Sequence, residues 1–364
     1  MPVLAAISVL ALLIVVHELG HFLAARLQNI HVNRFSIGFG PVLLKYQGSR
    51  TEYAVRAFPL GGFVGFPDDD PDSDIPREDP DLLRNRPVFD RAIVISAGVI
   101  ANLIFAYFLL VGQSATVGFP VSFNFEPGVL IPQVISQANS PAQQAGIEAN
   151  DIILSIDGQD LEASNQALLT LKEKIQNSPN QPLELEIERQ SEIIYLTVVP
   201  ALGEDGKGQI GVELRPNGEE IRDRANNFSE ALAKGADEFQ RVTVLTFKGF
   251  GQLISNFSEN AQQVAGPVKI VEFGAQIARN DAASLLQFAA LISINLAVIN
   301  MLPLPALDGG QLAFLLIEGL RGKPLPSKLQ DGIMQTGLVL LLSLGVFLIV
   351  RDTINLAIFQ NLFQ

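Results

Sequence analysis

Four apolar stretches, at about residues 3–27, 91–112, 285–302 and 333–350, constrain this chain more than any other feature. Each is long enough to cross a hydrocarbon core of ~30 Å as a helix. Because lipid offers no hydrogen bonds, a spanning segment must satisfy its own backbone, and four transmembrane helices are expected. The first stretch carries three ionisable groups before Arg26: His17, Glu18 and His21. Inside a span such groups must be paired, solvated or bound to a metal. Their spacing, His17-Glu18-Leu19-Gly20-His21, is H-E-x-x-H. On a helix it stacks both imidazoles on one face, one turn apart, where they can share a zinc ion, and sets a carboxylate alongside to handle a proton. That pattern points to a zinc hydrolase. At 1.5 Å per residue, His17 lies roughly 21 Å and His21 roughly 27 Å beyond Val3, nearer the end that Arg26 marks.

Composition narrows the chemistry. With no Cys in 364 residues there is no disulfide and no thiolate ligand, so a zinc site must use His and carboxylate. Only three His exist. The third, His31, falls outside the extended H-E-x-x-H-x-x-G-x-x-H spacing, whose last position is Leu27, and reads as a loop residue. The third ligand is therefore expected to be an Asp or Glu. A net charge of −13 leaves no basic patch for phosphates and excludes nucleic acid as a partner. The first stretch lacks a basic leader and is too long for a signal-peptide core, so it is expected to stay in the protein.

Between the first two spans, residues 32–66 read as hairpin strands, in the runs Phe35–Phe39, Val42–Tyr46 and Glu52–Ala57. Pro59 to Gly65 is too rich in glycine to read as helix or strand. This region is either a small sheet covering the membrane face or an edge to which an extended substrate backbone adds as a strand. The acidic run Pro67 to Asp74 lacks the spacing of a calcium loop and reads as a solvated linker. In the second span, Ala97, Gly98 and Ala101 permit a close helix approach, and Asn102 requires a buried partner; packing against the first span serves both. Further along, Asn227 to Asn256 reads as an amphipathic helix pair lying on the membrane, and Gly266-Pro267-Val268 as a turn.

Residues 116–216 form an insertion between the membrane parts 1–115 and 217–364, the latter divided at about 282/283. Ser140 to Ile147 predicts a short helix closed by a Gly turn, Asp151 to Ile156 a buried strand, and Asp157-Gly158 a hairpin turn; Leu183–Ile187 and Ile193–Val199 are later strands. This order resembles a PDZ domain of the bacterial, circularly permuted type. The resemblance implies capture of peptide termini by strand addition. The fold expected is thus an α-helical membrane protein of four spans, with a membrane-associated β-hairpin region and an inserted α/β PDZ domain.

The third span leads into Asn300-Met301-Leu302-Pro303-Leu304-Pro305-Ala306-Leu307-Asp308-Gly309-Gly310. Two prolines break the helix just where an acidic side chain must be aimed inward, which makes Asp308 the expected third ligand. Two His and one carboxylate leave a fourth position open, as a catalytic zinc site requires. H-E-x-x-H in a first span, A-G-x-x-x-N in a second, a PDZ-like insertion and N-x-x-P-x-P-x-x-D-G-G after a third together resemble the site-2 protease family of intramembrane zinc metalloproteases. The likeness is to the bacterial branch that includes the regulator-of-sigma-E proteases, and it covers nearly the whole chain. It implies one zinc ion on His17, His21 and Asp308, Glu18 as catalytic base, and a substrate-positioning role for Asn300, Pro303 and Pro305. It also implies a membrane-entering β-loop at residues 32–66. The substrates it implies are single-span membrane proteins already trimmed on the outer side, such as anti-sigma factors. A single PDZ copy departs from members that carry two.

Basic residues follow the first span (Arg26, Arg34, Lys45, Arg50) and separate the third from the fourth (Arg321, Lys323, Lys328). By the positive-inside bias these loops face the cytoplasm, and the insertion lies on the outer side. The expected residence is a bacterial inner membrane or an equivalent plastid membrane. Two rivals stand beside the protease: a non-enzymatic PDZ scaffold with a structural metal, which needs a fourth protein ligand, and a cation transporter, which should show internal repeats of its spans.

Overall fold

The computed structural model describes residues 1–70, 73–135, 140–203, 206–256 and 264–354. They form two compact units, Met1–Gly118 with Arg224–Gln364, and Phe119–Asp223. The first opens with helix α1 (Pro2–Leu27), whose leading Pro costs no hydrogen bond at that position. Strands β1 (Arg34–Gln47) and β2 (Glu52–Gly65) follow. Each bends, so the pair makes four rungs. Residues 34–37 run parallel to 52–55 and antiparallel to 62–65, while 42–47 lie antiparallel to 52–56. The order across the sheet is therefore 42–47, 52–56, 34–37, 62–65. The glycine-rich end of β2, which composition alone reads as neither helix nor strand, is in fact an edge rung. Glycine is there because a Cβ at Gly62 would lie 2.9 Å from both the Ser36 carbonyl and Glu18 Cγ.

The acidic run that follows does more than remain solvated. Asp68 accepts the Leu83 and Arg84 N–H groups at 3.2 and 2.9 Å, and Asp70 accepts from Asn33 at 2.9 Å. Pro71 and Asp72 lie outside the described residues. Helix α2 (Val88–Thr116) then packs along α1. A Cβ on Gly20 would stand 2.7 Å from the Ala101 Cβ and collide with the Ala97 carbonyl, so small residues set how closely the two helices approach.

The second unit is built on β3 (Phe119–Val134), α3 (Pro141–Ala145), β4 (Asp151–Ile156), β5 (Gln159–Asp160), α4 (Asn165–Asn177), β6 (Leu183–Arg189), β7 (Glu192–Val198), β8 (Ala201–Leu202), β9 (Gly208–Gln209) and β10 (Val212–Asp223). Its main sheet runs β10-β3-β4-β6-β7, antiparallel throughout. The final strand continues to Asp223, seven residues beyond the boundary expected at 216, because β10 stays paired with β3 down to Phe119. Ser140 caps α3 by accepting the Gln143 N–H at 3.3 Å, and Gly146 closes it at φ 79°. Asp157 and Gly158, at φ 50° and 73°, make the tight turn into β5. Ala167, Leu171 and Ile175, spaced by four, turn one face of α4 onto Val129, Ile153 and Ile187. Fully buried Asp151 is not an orphan charge: it accepts Arg189 through both oxygens at 2.8 Å and the Glu148 N–H at 2.8 Å. The paired carboxylate pushes the Arg189 guanidinium above its ordinary value.

Back in the first unit, α5 (Phe228–Ser255) is one continuous helix rather than the expected pair. Asn227 accepts the Glu230 N–H at 2.9 Å while Glu230 accepts the Asn226 N–H at 2.8 Å, a reciprocal cap. No proline interrupts the helix, and a single buried stripe, Ala231, Gly235, Glu238, Val242 and Thr246, keeps it in register. Gly235 lies against Val111 of α2. Gly266-Pro267 proves to be a helix start, N-cap and first position of α6 (Pro267–Asn280). It is held by Asp352, which accepts the Lys269 N–H at 3.1 Å. Helices α7 (Leu285–Met301), α8 (Asp308–Arg321) and α9 (Ser327–Ile354) complete the unit. Among the described residues, four helices, including α1, α2 and α9, are long and apolar enough to cross a membrane, the third running from Ala282 to Met301. An Arg91–Glu318 ion pair joins α2 to α8.

Candidate metal centre

Helix geometry alone brings His17 and His21 together on α1, but Asp308 reaches them through a tightly shaped loop. Residues 302–307 leave α7 with Ala306 at φ 69°, a conformation costly for a residue with a Cβ. The Gly pair then lets α8 begin against the end of α7. A Cβ on Gly309 would collide with the Met301 and Leu302 carbonyls, and one on Gly310 with the Leu304 carbonyl. Asp308 therefore sits at the first position of α8, pointing back at α1.

The result is a convergence of three ligand atoms. His17 Nε2 and His21 Nε2 are 3.2 Å apart, and Asp308 Oδ2 lies 3.2 Å from the first and 3.3 Å from the second. Atoms bound at 2.0–2.1 Å to a tetrahedral zinc stand about 3.3 Å from one another, so the triangle has the size the ion demands. Asp308 Oδ2 is buried without a hydrogen-bond partner, and two imidazole nitrogens face each other. A cation between the three relieves both. His17 is only 8% exposed.

The surroundings orient the ligands. The Val94 carbonyl lies 2.8 Å from His21 Nδ1, so that nitrogen carries a proton and Nε2 keeps its lone pair outward. Gly98 makes the room: a Cβ there would lie 2.8 Å from His17 Cε1 and collide with His21 Nε2. Asn102 Nδ2 is 3.3 Å from His17 Nδ1. Glu18 packs against the 62–65 edge, its Cγ lying 2.9 Å from where a Cβ on Gly62 would stand. The roles of Val94, which acts through its main chain, and of the 62–65 edge were not nameable beforehand. The glycine at 62 was the one available signal.

Asn300 joins this group, its amide nitrogen 3.4 Å from His17 Nε2. The prolines do not. Pro303 is exposed, and Pro305 packs on Gly337 of α9. A second cluster, His31 with Asp79 and Asp81, lies elsewhere, and Asp81 is held by Arg86 at 2.7 Å.

The profile of peptidase family M50 matches residues 5–344. The chain belongs to peptidase family M50. A Nostoc chain named as a candidate zinc metalloprotease is 62% identical over 368 residues, covering all of both proteins. The membrane metalloprotease ARASP, a chloroplastic protein of Arabidopsis thaliana, is 49% identical over 356 residues, 97% of this chain and 79% of its own. Among solved structures, the PDZ domain of an SdrC-like protein from Listeria innocua aligns with 24% of this chain and 93% of its own, at 20% identity and a TM-score of 0.21. This M50 peptidase is thus a zinc metalloprotease of a membrane, with zinc as its cofactor.

Proposed function

We propose that this M50 peptidase hydrolyses peptide bonds within transmembrane segments of single-span membrane proteins, after a first cut has trimmed them. The observation that carries the reading is the convergence of His17, His21 and Asp308 beside Glu18, inside helices apolar enough to span a bilayer. His17, His21 and Asp308 would hold one zinc ion, which supplies Lewis-acid activation of water and of the scissile carbonyl. Glu18 accepts the proton of the attacking water and returns it to the leaving amine. Asn300, whose amide reaches the same nitrogen cluster, donates to the carbonyl oxygen as it gains charge. Pro303 and Pro305 act at one remove, by fixing the loop that aims Asp308.

A transmembrane helix hides its carbonyls in its own hydrogen bonds, so the substrate must unwind before it is cut. The sheet has two edge rungs, 42–47 and 62–65, and the second packs against Glu18. An extended substrate is proposed to pair there. The 119–223 unit, with its capped short helix, Asp-Gly turn and antiparallel sheet, is proposed as a PDZ domain that takes peptide termini. Charge bias in the loops supports an orientation with the metal centre toward the cytoplasmic or stromal side and the insertion on the outer side. Anti-sigma-factor-like proteins fit the substrate class.

The test is cleavage of a trimmed single-span substrate in vesicles by the wild type and Glu18→Gln, with zinc quantified in both. Cleavage only by the wild type at equal zinc content supports the reading. Wild-type protein that carries zinc yet leaves the span intact while cutting soluble peptides would sink it.

A further inference from the structure

Val94, Gly98 and Asn102 recur every fourth residue along α2 and so share one face of it. Toward the metal centre they offer a carbonyl, an absence of side chain and an amide, in that order. Asn102 is fully buried, with its Nδ2 3.3 Å from His17 Nδ1 and its Oδ1 without a hydrogen-bond partner. Its position is fixed from behind, since the Ser293 hydroxyl on α7 donates to the Asn102 main-chain carbonyl at 2.8 Å.

The proton on His17 decides what Asn102 must do. His17 Nε2 is the nitrogen that meets His21 Nε2 and Asp308 Oδ2, so it is the one that offers a lone pair to a metal. A neutral imidazole has one N–H, which must then sit on Nδ1. An N–H facing an NH2 group sets donor against donor. Half a turn about the Asn102 Cβ–Cγ bond exchanges two nearly isosteric atoms and brings the unpartnered oxygen onto that proton.

We infer that Asn102 is a positioning residue of the metal centre, whose side-chain oxygen accepts the His17 Nδ1 proton and holds that imidazole in its zinc-ligating tautomer. The inference rests on His17 being a zinc ligand. The two histidines are then oriented by different means. His21 is set by a main-chain carbonyl that no substitution removes, and His17 by a side chain that one substitution can.

The experiment measures zinc affinity of the full-length protein in detergent, by competition with a chromophoric chelator, for the wild type, Asn102→Leu, Asn102→Asp and His17→Ala. Thermal unfolding of each metal-free form is followed in parallel. Losing a hydrogen-bond partner of a metal-binding histidine costs ~10–100-fold in affinity, the loss expected for Asn102→Leu. Asn102→Asp keeps an acceptor and should bind zinc at least as well as the wild type, with metal-free stability unchanged in both. Equal zinc affinity in Asn102→Leu and wild type overturns the inference, as does equal weakening by Leu and Asp. If Asn102→Leu does not fold, Asn102→Asp decides: retained affinity supports the acceptor role, and a loss like that of His17→Ala refutes it. Undiminished zinc binding by His17→Ala would instead refute the ligand reading itself.

Discussion

In the 119–223 unit the large apolar side chains Ile131, Ile153, Leu171 and Ile187 are shut away from solvent, and its helix α4 turns a polar face outward. In the other unit, α9 presents Val339, Leu340, Val346 and Phe347 to its surroundings, each 61–65% exposed. Both patterns follow from one rule applied in two solvents. Water drives apolar surface inward, at about 25 cal/mol per Å². Lipid does not, so the membrane helices associate through close packing and polar contacts instead. Among the polar groups they do bury, His17, Asn102 and Ser293 lie on or beside the candidate metal centre. Stability in the insertion is spread over a core, whereas the candidate metal centre of the membrane unit rests on a few atoms.

Single substitutions should expose that contrast. The largest effect is expected for Glu18→Gln, with turnover falling ~10²–10⁴-fold, the usual worth of a general acid–base group. Melting temperature and zinc content should not move; a parallel loss of zinc would show that Glu18 acts structurally. Next comes Leu171→Ala, which empties a fully buried position and should cost the insertion about 2–5 kcal/mol in denaturant unfolding. Zinc content should be untouched, and a change there would mean the two units are not energetically separate.

Gly98→Ala should follow, its added methyl pushing His21 aside and weakening zinc at least ~10-fold, like loss of an orienting contact. Chelator competition at constant fold, checked by circular dichroism, reads it directly. The smallest effect is at the α5 cap, where Asn227→Ala should cost about 1 kcal/mol. Lys234, with the Asn226 groups, holds the Glu230 carboxyl below its ordinary value. A depressed folded value means the cap's contribution is present above the unfolded carboxylate value and is lost as pH falls below it and through the lower, folded value. The melting temperature of the wild type should therefore drop more than that of Glu230→Gln on acidification below pH ~4.5. Parallel curves for the two proteins would remove Glu230 from the cap.

Much of the site was legible as spacing. H-E-x-x-H is a statement about one helix turn, and D-G-G after two prolines is a statement about where a helix must stop and restart; both are local, and local rules read from sequence are dependable. The 62–65 rung was not legible because glycine argues against strand; only the Ser36 strand beside it and Glu18 below it supply the reason for having no side chain there. The long α5 was missed for a related cause. Its charges looked like those of broken surface helices, while Glu238 is in fact buried, accepting Gln287 of α7 at 2.9 Å and paired with Arg241.

What the sequence determined by itself is the kind of chain this is: four apolar spans, an insertion with its own turn chemistry, and three candidate ligands of two types with a neighbouring carboxylate. These depend on hydropathy, periodicity and residue chemistry, which are properties of neighbours along the chain. What only the tertiary structure decided is the geometry in which groups distant in sequence meet: Asp308 with His17 and His21, Val94 with His21, Asn102 with His17, and the 62–65 edge with Glu18. Those meetings follow from helix approach distances set by Gly20, Gly98 and Gly309, where a missing Cβ determines the geometry and no local pattern reveals its partner.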